Sequence, residues 1–178
     1  MSAHRFIYML AGILLLLSCG SDNNAPIDDP GNTTNHYLQL QPNGLNAIKV
    51  SCTEENFVFP FQIKAVGNGS NQGGEAQINS WSEDELKAYN NKEKTSYVLL
   101  PSSLYSLTST EVSFKEGIST MDVEVKFNPS KVFAEFREKT VEYVIALKLS
   151  SDKIQVRDSQ SRILLSISFD YPTVGLAA

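Results

Sequence analysis

Strict alternation of apolar and polar residues constrains this chain more than any other feature. It is longest from Ile118 to Phe127, where Met121, Val123, Val125 and Phe127 face one way and Asp122, Glu124 and Lys126 the other. Successive side chains of a strand point to opposite faces, so this spacing predicts a half-buried strand. A second long alternation runs from Phe57 to Val66 through Phe57, Phe59, Phe61, Ile63 and Ala65. Pro60 falls in its middle on the opposite face. Proline has no N–H for a ladder, so the strand is expected to be an edge there or to bulge. Shorter segments repeat the pattern at Tyr37–Leu40, an expected edge, and at Ala47–Cys52, Ala76–Ser80, Tyr97–Pro101, Leu104–Leu107 and Glu111–Lys115. Thr140–Leu149, Lys153–Val156 and Arg162–Phe169 close the chain. Roughly nine or ten short strands joined by brief turns predict an all-β antiparallel sandwich. The βαβ rhythm of a parallel sheet is missing, as is any long internal repeat.

Two helices interrupt the strands. Ser82 followed by Glu85 spells a capping box at the start of a helix expected to reach about Asn90. Glu83, Asp84 and Glu85 place negative charge at the positive end of its dipole. Trp81, just before the cap, and Leu86 then form a hydrophobic staple. Asn128-Pro129 begins the second helix, an Asn cap with Pro at the first helical position, expected to run to about Glu138 and to bury Val132, Phe133 and Phe136. Gly67 to Gly74, rich in Gly, Asn and Gln, reads as a loop.

The first 35 residues obey different rules. Residues 1–18 have the form of a signal peptide: Arg5 in a short leading region, then an apolar run of 12 residues from Phe6 to Leu17. A spanning helix needs about 20. Leu16-Leu17-Ser18-Cys19-Gly20 is a lipobox, so cleavage before Cys19 and acylation of that residue are expected. The membrane is then a partner through the lipid on Cys19, in the cell envelope as an outer-membrane lipoprotein, with exposure at the cell surface one possible placement. Residues 19–35 hold one large apolar residue, Ile27, and read as the acylated cysteine with a flexible tether. Residues 36–178 are expected to form the single sandwich domain.

Beyond the signal, 14 basic and 20 acidic side chains leave a net charge of −6. No basic stripe exists to hold nucleic acid. Cys52, the one remaining thiol, has no partner for an internal disulfide and lies on the apolar side of its strand with Ile48 and Val50. His36 is the one histidine beyond the signal, so a nucleophile–base pair cannot be assembled. Paired Cys/His ligands and an EF-hand loop are missing from the sequence, so neither a metal nor another cofactor is expected.

The block Trp81-Ser82-Glu83-Asp84-Glu85-Leu86, Tyr89-Asn90, Thr95-Ser96-Tyr97-Val98-Leu99-Leu100-Pro101, Tyr105-Ser106-Leu107, Val112-Ser113-Phe114-Lys115-Glu116-Gly117 and Tyr143–Ser150 resembles domain-of-unknown-function family 1735, the N-terminal domain of Bacteroidota surface lipoproteins. The similarity covers roughly residues 35–170. It implies an Ig-like sandwich, which in that family precedes a carbohydrate-binding or glycoside-hydrolase-like domain, often within polysaccharide-utilisation systems. The chain stops at Ala178, so a stand-alone copy is expected. The resemblance supplies no site residues.

On these grounds the chain is expected to be a non-catalytic accessory module that binds glycan. The alternative is a protein-interaction or spacer module in an envelope or adhesin-like complex. Partners are then polysaccharide or envelope proteins. Flat aromatic rings stack on pyranose faces while amides bond to hydroxyls. Trp81 and Tyr89 are the candidate aromatic residues, and Asn71 and Gln72 in the glycine-rich loop the candidate amides. The staple explains Trp81 without a ligand, and Tyr89, three residues beyond Leu86, is placed to share its buried face. Glu83, Asp84 and Glu85 are explained by helix electrostatics rather than by catalysis.

Overall fold

The structure is a computed structural model and describes residues 36–68, 73–136 and 141–170. The strands are β1 (Tyr37–Gln41), β2 (Gly44–Ser51), β3 (Phe57–Val66), β4 (Gly74–Ser80), β5 (Val98–Leu99), β6 (Tyr105–Leu107), β7 (Glu111–Phe114), β8 (Thr120–Phe127), β9 (Tyr143–Ser150), β10 (Gln155–Val156) and β11 (Arg162–Asp170). Helices α1 (Glu83–Glu93) and α2 (Pro129–Phe136) complete the set.

The alternation becomes a two-sheet sandwich. One sheet has the order β10-β1-β3-β8-β6 and the other β2-β11-β9-β4-β7, with β5 beside β9. The apolar set of β8 is buried through Val123, Val125 and Phe127, and it meets Phe61 and Ile63 of β3 in the central core. Ile145, Leu147, Ile163 and Leu165 enter the same core from the opposite sheet. Burial of such side chains stabilises by roughly 1.5–3 kcal/mol each before the entropy of ordering is counted.

Pro60 lies where the pattern places it. β8 pairs with β3 from Phe57 onward, whereas β1 pairs only with Gln62–Val66, so among the described residues no strand pairs with the other flank of β3 at Pro60. Three expectations change. β1 is not an edge, because β10 adds a parallel pairing outside it. Ile118 lies outside β8 and is 43 % exposed. The ladders are mostly antiparallel, but β2 runs parallel to β11 over eight residue pairs, and β5 runs parallel to β9. The end of α2 expected at Glu138 falls outside the described residues. Within them, Val132 and Phe136 are buried and Phe133 is half-buried.

β9 and β11 depart from alternation for a reason that positions the functional surface. Tyr143 through Leu147 are all buried, as are Ile163 through Ile167. Both faces of these strands are covered: one by the opposite sheet, the other by α1. Val144, Ala146 and Leu164 form a second core with Trp81 and Leu86 on that outer face. Continuous apolar runs are the signature of strands buried on two sides.

A candidate ligand cleft beside the first helix

α1 starts as its sequence dictates. The Ser82 hydroxyl accepts from the Glu85 N–H at 3.2 Å, and Glu85 Oε2 accepts from the Ser82 N–H at 2.8 Å. Both bonds satisfy amides that the first turn leaves orphaned. The helix ends at Lys94 in the left-handed conformation, with its N–H donating to the Asn90 carbonyl. The Asn90 side chain then ties down the return loop, donating to the Tyr97 carbonyl at 2.8 Å and accepting from the Thr95 hydroxyl and the Tyr97 N–H.

Trp81 and Leu86 are each 4 % exposed, packed together on β9 and β11. The Trp81 indole N–H donates to the Leu147 carbonyl at 3.1 Å. Trp81 therefore has no open face for a sugar ring; its staple role accounts for its burial. Tyr89 packs edge-on against Trp81, with ring centroids 5.7 Å apart, and stacks with Tyr97 at 6.4 Å. Tyr89 is half-buried. Desolvation, helped by the nearby Glu93 charge, raises the pKa of its phenol above the ordinary tyrosine value. Its hydroxyl is thus a neutral donor and acceptor at physiological pH. Tyr105 bonds Ser80 through its hydroxyl at 2.8 Å, and Tyr143 is buried. Asn71, Gln72 and Cys19 lie outside the described residues.

Between α1, the start of β2 and the turn before β11 lies a cleft of about 370 Å³. This is within the roughly 300–1,000 Å³ range of small-molecule sites. Tyr89, Ala88 and the exposed Leu45 give it apolar walls. Arg162, Lys92, Asp158 and Ser159 give it polar groups. The Arg162 guanidinium sits 5.1 Å from the Trp81 ring centre. Glu85 also lines the cleft, but Lys148 holds its other oxygen at 2.7 Å. The Lys148 hydrogen bond, and after it the Ser82 backbone bond, keeps its carboxyl below the ordinary glutamate range. A second hollow of about 400 Å³ opens on the other flank of α1, and its amide, Asn90, already donates to the Tyr97 carbonyl and accepts from the Tyr97 N–H in the return loop. Among the described residues, no three His, Cys, Asp or Glu side chains gather where they could hold a metal ion.

Of the four residues expected at a sugar site, the structure thus brings Trp81 and Tyr89 together, one as a buried support and one at the wall. Arg162, Lys92, Asp158 and Leu45 were not anticipated. They come from three separate segments, and no local pattern marks them as neighbours.

The fold and cleft define a β-sandwich domain with one helix-covered face. Residues 29–156, well over half of the chain, match a family whose description reads "-like, N-terminal domain". The chain belongs to this family of N-terminal domains, the type of domain-of-unknown-function family 1735. No curated protein matches it. A Bacteroides ovatus protein taken to be carbohydrate-binding is similar in structure at 15% identity and TM-score 0.62, covering 74% of this chain and 36% of its own. A multidomain Bacteroides ovatus protein that includes domain 1735 is similar at 15% identity and TM-score 0.55, covering 75% and 45%. Bacteroides thetaiotaomicron EndoBT-3987, solved with a Man5GlcNAc product, is similar at 17% identity and TM-score 0.56, covering 75% and 31%. The chain spans less than half the length of each of these three proteins.

Proposed function

We propose that the chain is a non-catalytic, glycan-binding accessory module, held at the outer membrane of a bacterial envelope by an acylated Cys19 within a polysaccharide-utilisation system. The cleft beside α1 carries this reading, because it pairs an aromatic wall at Tyr89 with hydrogen-bonding groups at Arg162, Asp158 and Ser159. Sugars need that combination: apolar contact for their C–H faces and fixed donors and acceptors for their hydroxyls. The fold shared with a protein taken to be carbohydrate-binding supports it further.

A supporting role fits Glu85 better than that of a hydrolytic acid. Glycosidases use a carboxylic acid whose pKa is raised so that it can protonate the leaving oxygen. Glu85 is shifted the other way, and both its oxygens are engaged.

Native affinity electrophoresis through gels loaded with different polysaccharides tests the proposal. At least one glycan is expected to retard the protein, and Tyr89→Ala is expected to relieve the retardation without unfolding it. Free migration through every glycan, together with a stoichiometric protein partner recovered from envelope extracts, would sink it. That outcome belongs to the second reading, a protein-interaction or spacer module. The outer edge of β2 favours it: among the described residues its eight positions are paired on one side by β11 and have no strand on the other, an edge able to take up a partner's strand.

A further inference from the structure

We infer that the cleft selects glycans that carry a carboxylate, sugar acids of the uronate class, with Arg162 receiving that group. This selectivity rests on the glycan reading and narrows it to a substrate class.

The charges lining the cleft are unequal in availability. Glu85 is engaged on both oxygens, by the Lys148 ammonium at 2.7 Å and the Ser82 N–H at 2.8 Å. Lys92 pairs with its chain neighbour Glu93 at 3.2 Å, and its side chain is 82 % exposed. A surface pair of this kind holds weakly, so Lys92 is free to turn toward a ligand. Arg162 and Asp158 have no ion pair among the described residues. Lys92 turns toward a ligand only by leaving Glu93, whose charge lies beside Tyr89, so Arg162 is the lining cation with no ion pair among the described residues and the group that an incoming carboxylate meets.

Arg162 is placed for this task. Its guanidinium lies over the buried Trp81 ring, which Leu86 and the Leu147 carbonyl hold in position. A cation over an aromatic face keeps its planar fork of N–H groups at the edge, where a carboxylate accepts two of them at once. Asp158 and Ser159, both exposed, remain to accept and donate hydrogen bonds to ring hydroxyls. The Tyr89 ring and Leu45 offer apolar surface to the C–H face. A ring bearing hydroxyls, one carboxylate and one apolar face matches this set.

The test uses affinity gels of polygalacturonate, alginate and hyaluronate, each beside its carboxyl-reduced form, with neutral polysaccharides and polyglutamate as further lanes. Wild-type protein is compared with Arg162→Gln, Arg162→Lys and Lys115→Gln. The last removes one exposed cation outside the cleft. Arg162 is exposed, and an unchanged melting midpoint verifies that its variants remain folded. At least one uronan is expected to retard the wild type. Carboxyl reduction or Arg162→Gln should weaken retention by roughly 10- to 100-fold, the usual range for a charge-assisted hydrogen-bond pair. Arg162→Lys should fall between, and Lys115→Gln should match wild type. Retention by neutral or carboxyl-reduced glycans as strong as by the uronans would overturn the carboxylate selectivity while leaving glycan binding in place. Equal retention by polyglutamate, or equal loss in Lys115→Gln, would reduce the effect to bare charge and overturn it too. Free migration through every glycan would overturn both this inference and the glycan reading beneath it.

Discussion

The indole N–H of Trp81 donates to the carbonyl of Leu147, 66 residues further along the chain, at 3.1 Å. Through that bond and the packing around it, the start of α1 is fixed to the outer face of β9. The same ring then lies beneath Arg162 and against Tyr89. One buried aromatic residue therefore joins the helix start, the second core and the wall of the cleft.

Trp81→Ala should cost about 3–5 kcal/mol, the usual range for removing a large buried aromatic side chain. Trp81→Phe keeps a ring but loses the N–H, and should cost about 1–3 kcal/mol. Urea unfolding measures both. Trp81 is the one tryptophan of the chain, so its fluorescence reports on this position alone. Emission should be blue-shifted in the native state and move to the red as α1 leaves the sheet.

Ser82→Ala removes the acceptor for the Glu85 N–H and should destabilise by about 1 kcal/mol. Ser82→Asp keeps an acceptor and should stay near wild type. An unchanged unfolding midpoint in Ser82→Ala would contradict the role of the cap.

Acid should weaken the tie between α1 and β9 in a particular window. The Glu85 pKa is lowered in the folded state, chiefly by the Lys148 hydrogen bond. Its contribution is therefore fully present above the unfolded glutamate value of about 4.3 and is lost as pH falls through the lower folded value. The two side chains are 37 % and 33 % exposed, so screening limits the contribution to at most about 1 kcal/mol. Wild type should exceed Lys148→Met in stability at pH 7, and the gap should close toward pH 3. A gap that is constant across this range would refute the linkage.

Gly73 and Gly117 provide a matched pair. Their φ values are 81° and 82°, but a Cβ on Gly73 would lie 2.9 Å from the Phe114 carbonyl oxygen, whereas one on Gly117 meets nothing within 4 Å. Both alanine variants carry left-handed strain of about 1–3 kcal/mol. Gly73→Ala should cost clearly more, because backbone of β7 must also move. Equal melting midpoints would show that the close approach has no energetic weight.

Cys19→Ala should move the protein from the membrane fraction to the soluble fraction and abolish labelling by a fatty-acid analogue. Acyl labelling that persists in the variant would show that the lipobox assignment is wrong.

Much of the scaffold was legible in local patterns, because strands and caps are short-range devices. Met121 to Phe127 announces one face of β8, and Ser82 with Glu85 announces the start of α1. Pro60 marks the flank of β3 that no strand among the described residues pairs, because a residue without an N–H cannot serve a ladder on that side. The parallel pairing of β2 with β11 was not legible. It joins Gly44–Ser51 to Ile163–Asp170, and alternation in either strand is the same whichever direction its partner runs. The fate of Trp81 was half legible: the staple with Leu86 foretold its helix contact, but only the β9 carbonyl beneath it closes the ring away from solvent.

By itself, then, the sequence determined the local conformations: the alternating strands and the capped helices. Tertiary structure decided which faces meet. The apolar runs of β9 and β11 require cover on both sides, and α1 supplies the second cover through Trp81 and Leu86. That docking brings Leu45, Tyr89 and Lys92 beside Asp158 and Arg162. Their neighbourhood exists only once distant segments pack, because burial of apolar surface selects the arrangement and no residue-to-residue spacing along the chain encodes it.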